Sequence, residues 1–247
     1  MKIIGMIHLK TLPGYPQHQS MSEVINQAIS DIHLLEEGDV DGILIENTDD
    51  DPHQKMVSTE IIAAFTLVAD ATKKVTSLPV GICVLWNDYK ASLAIAKVTG
   101  CSFVRVPVFT EAVVTASGII ESNPYDIISY REKIKAQNIK ILADVQVKHA
   151  AMLVKRPITE SAIEALHFGA DEIIITGRFT GDSPNLEELK IVRESCPKAT
   201  IVIGSGTTAQ NYSELAKYAD KAIVGTYFKP EGKIILRRVK EITSLRG

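Results

Sequence analysis

A chain of 247 residues can bury most of its apolar surface around one core and has the usual length of an α/β barrel. With 45% hydrophobic and 23% charged residues and a formal net charge of −3, it lacks the basic excess of a general nucleic-acid binder. No apolar run reaches the length of a bilayer span, and the three cysteines (Cys83, Cys101, Cys196) form neither a disulfide framework nor a zinc motif, so a cytoplasmic protein is expected.

Taken in chain order, strand and helix patterns alternate at intervals of roughly 30 residues, the length of one strand–helix unit. The opening MKIIGMIHLK turns polar too soon for a secretory leader and reads as a strand over Lys2–Leu9, followed by a helix over Ser22–Glu37. The pair recurs as Gly42–Glu46 with Lys55–Lys74, Val80–Leu85 with Tyr89–Thr99, and Phe103–Val108 with Tyr125–Gln137. It continues as Ile139–Val147 with Thr159–His167, Glu172–Thr176 with Leu186–Ser195, Thr200–Ile203 with Ala209–Lys217, and Lys221–Val224 with Lys233–Ser244. The strands are near-continuous apolar runs, as in parallel sheets covered on both faces. Gly38, Gly100 and Gly169 stand just past helix ends, and Ser22 and Thr159 at N-cap positions. Eight such units, with no GxGxxG after the first strand, predict one (β/α)8 TIM barrel over 1–247 rather than an open doubly wound sheet. The long connections Asn47–Gln54, Phe109–Pro124 and Gly177–Asn185 all follow strands, which puts them on the face where barrels build their sites.

The last two strands lead into glycine-bearing turns, Gly204-Ser205-Gly206-Thr207-Thr208 and Gly225-Thr226-Tyr227-Phe228-Lys229. Glycines there let backbone N–H groups approach an anion, and Thr207, Thr208 and Thr226 add hydroxyl donors; the plainer reading is a pair of tight turns. Lys229 and Lys233 read as solvated surface charges. The loop Gly177-Arg178-Phe179-Thr180-Gly181-Asp182 is either a hinged lid with an anion-binding arginine or a wide turn.

Charged residues at strand ends need a reason to be there. In Ala143-Asp144-Val145-Gln146-Val147-Lys148-His149, alternation puts Asp144, Gln146 and Lys148 on one inward face, either as an acid/base pair or as a structural ion pair. Glu46 and Asn47 end the second strand, and His8 ends the first at the height of a site residue. Arg105 interrupts the fourth strand and requires an anionic partner, either Asp144 or a substrate anion. Asn87 follows the third strand as a ligand donor or a helix cap, and Asp49 and Asp51 read as a solvated loop. His8, Glu46 and Asp144 hold donor atoms for a divalent ion, but no ligand spacing supports one, so no metal and no other cofactor is expected.

The motifs Gly5-Met6-Ile7-His8-Leu9 with Leu12-Pro13-Gly14, Glu46-Asn47…Asp50-x-Pro52, Asn87-Asp88, Ala143-Asp144-Val145-x-x-Lys148-His149-Ala150 and Thr176-Gly177-x-x-Thr180-Gly181 together resemble the BtpA/SgcQ family across essentially the whole chain. That resemblance implies a phosphate-binding TIM barrel of the ribulose-phosphate-binding kind. It marks His8, Glu46, Asn47, Asp50, Asn87, Arg105, Asp144, Lys148 and His149 as site positions. It also links one class of members to accumulation of photosystem I proteins and others to sugar-metabolism genes. The chain departs from the family pattern at Cys83 and Pro107 (usually asparagine), Trp86 (commonly arginine), His53 (phenylalanine) and Ala116 (an acid).

Two functions compete. In the first, Asp144, Lys148, Glu46 and His8 are the catalytic groups of an isomerase, lyase or hydrolase acting on a sugar phosphate or a nucleotide-like ribosyl phosphate. Asn47, Asp50, Asn87, Arg105 and His149 would bind the substrate, and Gly177, Gly204, Ser205, Gly206, Gly225 and Thr226 its phosphate. In the second, the barrel is a non-catalytic assembly or regulatory factor that binds a metabolite or protein. The expected partner is a small phosphorylated ligand, with no nucleic acid and no membrane span, and a homo-oligomer is left open.

Overall fold

The computed structural model describes residues 1–246. In chain order the strands are β1 (Lys2–His8), β2 (Gly42–Glu46), β3 (Val80–Cys83), β4 (Phe103–Val106), β5 (Val113–Thr115), β6 (Gly118–Ile120), β7 (Lys140–Val145), β8 (Ala151–Met152), β9 (Glu172–Ile175), β10 (Ile201–Ile203) and β11 (Lys221–Val224). The helices are α1 (Met21–Glu37), α2 (Thr59–Val75), α3 (Tyr89–Thr99), α4 (Pro124–Lys133), α5 (Ile158–His167), α6 (Leu186–Ser195), α7 (Tyr212–Leu215) and α8 (Leu236–Thr243). Eight parallel strands close in the order β1-β11-β10-β9-β7-β4-β3-β2, with the helices outside, so the expected TIM barrel is the fold. No described helix is long and apolar enough to cross a membrane.

The interior follows the alternation of the strands. Ile4, Met6, Leu44, Cys83, Phe103, Leu142, Ile174, Val202 and Ile223 pack together inside the barrel. Outward side chains such as Ile43, Val104, Ile141, Ile173 and Ile203 join the helix layer. At the floor, buried Glu172 takes Lys221 at 2.7 Å and Lys140 at 2.9 Å. Two residues above the apolar layer, the same inward rows bring His8, Glu46, Arg105 and Asp144 to the mouth.

Helix ends are set by local capping. The Ser20 hydroxyl accepts from the amide of Glu23, so α1 is capped two residues before the expected Ser22. Asp88 caps α3 through the amide of Ala91, and α3 stops at left-handed Gly100. Pro157, not Thr159, stands at the N-cap of α5.

Two departures bear on the site. The expected fifth strand to Val147 ends at Val145, because Gln146 turns left-handed (φ 54°) and sends its amide to Arg156 O (3.0 Å) and Ser161 Oγ (3.3 Å). Gln146 therefore leaves the face assigned to it. The long connection 109–124 is not open loop either. It folds into β5 and β6, which pair antiparallel with each other and with β8 beside the barrel mouth. Val108, Val113, Ile120 and Val147 form a small apolar core there, with Trp86, Ala150 and Met152 packed against it.

Candidate functional site

The mouth encloses a cavity of about 600 Å³ lined by residues from all round the barrel, among them His8, Glu46, Arg105, Lys148, Ser205, Thr207 and Thr226. The circular strand order sets its geometry. β1 faces β7 across the barrel, β10 faces β3, and β11 faces β4.

On the β10/β11 side, the turn after β10 is drawn tight. Gly204 N donates to Ile175 O (2.9 Å), the Ser205 hydroxyl donates to Asp182 O (2.8 Å), and Gly177 N donates to the Ser205 oxygen (3.3 Å). Gly206 is left-handed (φ 72°), and a Cβ on it would lie 2.1 Å from Ser183 N, so only glycine fits. The amides of Ser205, Gly206, Thr207 and Thr226 donate to no protein acceptor among the described residues. Thr207 Oγ1 is likewise buried and without a partner among the described residues. Free donors from two adjacent turns are what an anion requires. Three of the expected anion ligands differ in what they can offer: Gly204 lines the cavity but has its amide bonded to Ile175 O, while Gly177 offers no contact and Ser205 only its amide. Gly177 lies outside the cavity lining, where its lack of a side chain lets Asp182 approach, and Ser205 has its hydroxyl committed to the neighbouring loop.

At the base of the mouth cavity, above the apolar layer, Arg105 sits 4% exposed between two carboxylates. Its Nε and Nη2 donate to the two oxygens of fully buried Asp144, both at 2.8 Å, and Nη1 lies 3.5 Å from Glu46. Burial opposes the guanidinium charge, but Asp144 and Glu46 more than compensate, so Arg105 stays protonated. Of the two partners considered for Arg105, Asp144 is the one found. An Asp144–Lys148 pair is not formed, since among the described residues Lys148 has no carboxylate within salt-bridge distance. Burial and the Arg105 charge lower the Lys148 pKa, with Glu46 opposing. Burial raises Glu46, but Arg105 and other cations outweigh it and hold it ionised below its usual value, with Thr48 donating to it at 3.0 Å. Across from Lys148, His8 is brought down from 6.5 to about 4 by burial and by Lys229, and it is neutral at pH 7.

Lys229 corrects the surface reading. Its side chain is only 7% exposed and pairs with Asp31 of α1 at 3.5 Å, whereas Lys233 is exposed as expected. Nothing in the local sequence signals this, because the partner is contributed by a helix at the other end of the chain.

Other expected ligands hold loops rather than face the cavity. Asn47 accepts from Leu85 N (2.8 Å) and donates to Asp50 (3.0 Å), whose other oxygen accepts from Leu12 N (2.7 Å). Asn87 is neither ligand donor nor helix cap. It pairs with both backbone groups of Val108 at 2.9 Å. His149 reaches the cavity edge, but its Nε2 accepts from Thr180 N (3.1 Å) and faces the Thr180 hydroxyl at 2.8 Å, fastening the loop after β9. His53 and Trp86, noted in the sequence only as departures from the family pattern, also line the cavity, and so does Arg238, which the sequence did not single out and whose guanidinium lies 4.8 Å over the Tyr227 ring. No group of three His, Cys, Asp or Glu among the described residues is arranged for a metal ion.

Residues 1–246 match the BtpA family. This chain belongs to the BtpA family. It is 42% identical over 234 residues to a Pyrococcus furiosus protein, covering 94% of this chain and 88% of that one. It is 37% identical over 235 residues to the Photosystem I biogenesis protein BtpA of Synechocystis, covering 94% and 82%. Among solved structures, the BtpA-family barrel resembles a thiamine phosphate pyrophosphorylase from Pyrococcus furiosus (TM-score 0.65, 16% identity, 98% and 94% covered). It also resembles a 3-hexulose-6-phosphate synthase (0.63, 16%, 99% of each chain) and a phosphoribosyl anthranilate isomerase from Thermus thermophilus (0.64, 9%, 100% of each). At these identities the likeness is one of fold alone, that of a TIM barrel.

Proposed function

We propose that this BtpA-family protein is an enzyme performing acid/base chemistry on a small phosphorylated metabolite. The observation that carries the reading is an unpaired, partly desolvated lysine in the same cavity as a set of unclaimed anion donors. The amides of Ser205, Gly206, Thr207 and Thr226, with the Thr207 hydroxyl, hold the phosphate. Lys148, its pKa lowered, exchanges a proton with the reacting centre, and neutral His8 stands across the mouth as the second proton carrier. Glu46 stays ionised and compensates positive charge near the centre. Asp144, with both oxygens on Arg105, is a positioning residue rather than an acid.

The names of the structural neighbours speak of phosphorylated compounds, which agrees with this reading. A second reading, a non-catalytic assembly role, is favoured by the name of the Synechocystis relative. A thermal-shift screen of phosphorylated metabolites tests the first. A ligand at one hundred times its Kd adds about 2.7 kcal/mol, or about 5 °C at roughly 0.5 kcal/mol/K for a chain of this length. With the compound so selected, Lys148→Met abolishes turnover and keeps the shift. Turnover that survives Lys148→Met overturns the catalytic assignment, and an assembly role needs none.

A further inference from the structure

The cavity is divided into zones, and the division constrains the whole ligand, not only its phosphate. Resting on the phosphate reading above, we propose that the substrate carries a planar heterocycle at the end remote from the phosphate, as a nucleoside monophosphate does, and is not a bare sugar phosphate. The anion donors follow β10 and β11, and the diametrically opposite strands are β3 and β4. The segments after those two strands supply Leu85, Trp86 and Pro107 to the lining, and Val147 joins them from the β7 side. This wall is apolar. Sugar hydroxyls pressed against it would lose water and gain no partner, whereas a flat ring would bury its faces favourably.

The wall is also held in place. Trp86 packs against the core of the small antiparallel sheet formed by Val108, Val113, Ile120 and Val147, so its indole is set before any ligand arrives. His53, next to Gln54 whose carbonyl accepts from Trp86 N (2.8 Å), also lines the cavity, and its buried Nε2 has no partner among the described residues. A polar atom left so is costly unless a partner meets it, and the edge of a heterocycle carries donors and acceptors that can do so. Between the two ends lie His8, Glu46, Arg105 and Lys148, which meet the polar part linking phosphate to ring. The cavity volume, about 600 Å³, lies in the ordinary range for such three-part ligands.

Trp86 is the only tryptophan in the chain, so intrinsic fluorescence reports on this wall alone. The test is calorimetric titration, with Trp86 emission followed in parallel, using adenosine and uridine monophosphates, ribose 5-phosphate and inorganic phosphate. The nucleoside monophosphates bind about tenfold tighter than ribose 5-phosphate, as one stacked base implies, and change the emission. Trp86→Leu removes that preference and leaves ribose 5-phosphate affinity unchanged, while Trp86→Phe, which keeps a stacking face and the packing, retains most of it. Thr207→Val weakens all four ligands. Equal binding of ribose 5-phosphate and the nucleotides, or a preference indifferent to Trp86→Leu, overturns the ring subsite while the phosphate site stands. No binding by any of the phosphates to folded protein overturns both.

Discussion

Asp144→Asn separates a structural from a catalytic Asp144. Asp144 is fully buried and gives both oxygens to Arg105, itself 4% exposed, so the amide leaves a desolvated guanidinium without its bidentate partner. Breaking a buried pair on one side costs about 3–5 kcal/mol, because the remaining charge is uncompensated. Here the lower end applies, since Glu46 stays 3.5 Å from Nη1. At about 2.1 cal/mol/K per residue, a chain of 247 residues loses stability at roughly 0.5 kcal/mol/K near its midpoint. The expected fall in the apparent Tm is therefore about 6 °C. The double variant Arg105→Met with Asp144→Leu removes both charges of the bidentate pair and recovers part of that loss, the remainder reflecting Glu46, which loses its Arg105 partner. Differential scanning calorimetry of the wild type and the two variants decides the matter. An Asp144→Asn protein as stable as wild type would refute the reasoning, because the carboxylate would then not be holding Arg105.

Three further expectations follow from the same geometry. Thr207→Val leaves stability unchanged or slightly raised, because a buried hydroxyl without a partner is removed, yet it weakens phosphate binding roughly tenfold or more, the value of a hydrogen bond to a charged group; calorimetry on the one variant reads both signs. Gly206→Ala loses at least about 1–3 kcal/mol to the left-handed backbone, and the collision 2.1 Å from Ser183 N also displaces the turn, so urea unfolding and phosphate titration fall together. His8 must be neutral in the fold, with a pKa near 4 against 6.5 unfolded, so the unfolded chain binds the extra proton between those values. Stability is full above pH 6.5 and is lost as pH falls towards 4, by at most about 3 kcal/mol and less because the ring faces the open cavity. His8→Gln flattens that limb of the stability–pH curve.

The barrel was readable because each parallel strand is a short β-branched run and each helix follows at a regular interval. The inward rows that end in His8, Glu46, Arg105 and Asp144 could be read from alternation alone, since the side chains of a strand take turns between two faces. That rule failed at Gln146, where one left-handed residue turns the chain, and Lys148 reaches the cavity from the loop beyond it. The sheet of β5, β6 and β8 escaped notice because strands of two or three residues carry no period. Its contribution is tertiary, since it pins Trp86. Asn47, Asp50 and Asn87 sit near the mouth as their strand ends require, but only coordinates distinguish a side chain that binds a ligand from one that binds a neighbouring loop. Lys229 and Asp31 lie at opposite ends of the chain, and no local signal joins them.

The most direct test of the account follows the backbone amides of Ser205, Gly206, Thr207 and Thr226 by nuclear magnetic resonance while inorganic phosphate is added. Saturable shifts concentrated at those four amides, and diminished in Thr207→Val, are the expected result. Shifts spread over surface lysines, or none at these amides while phosphate binds elsewhere, would contradict it.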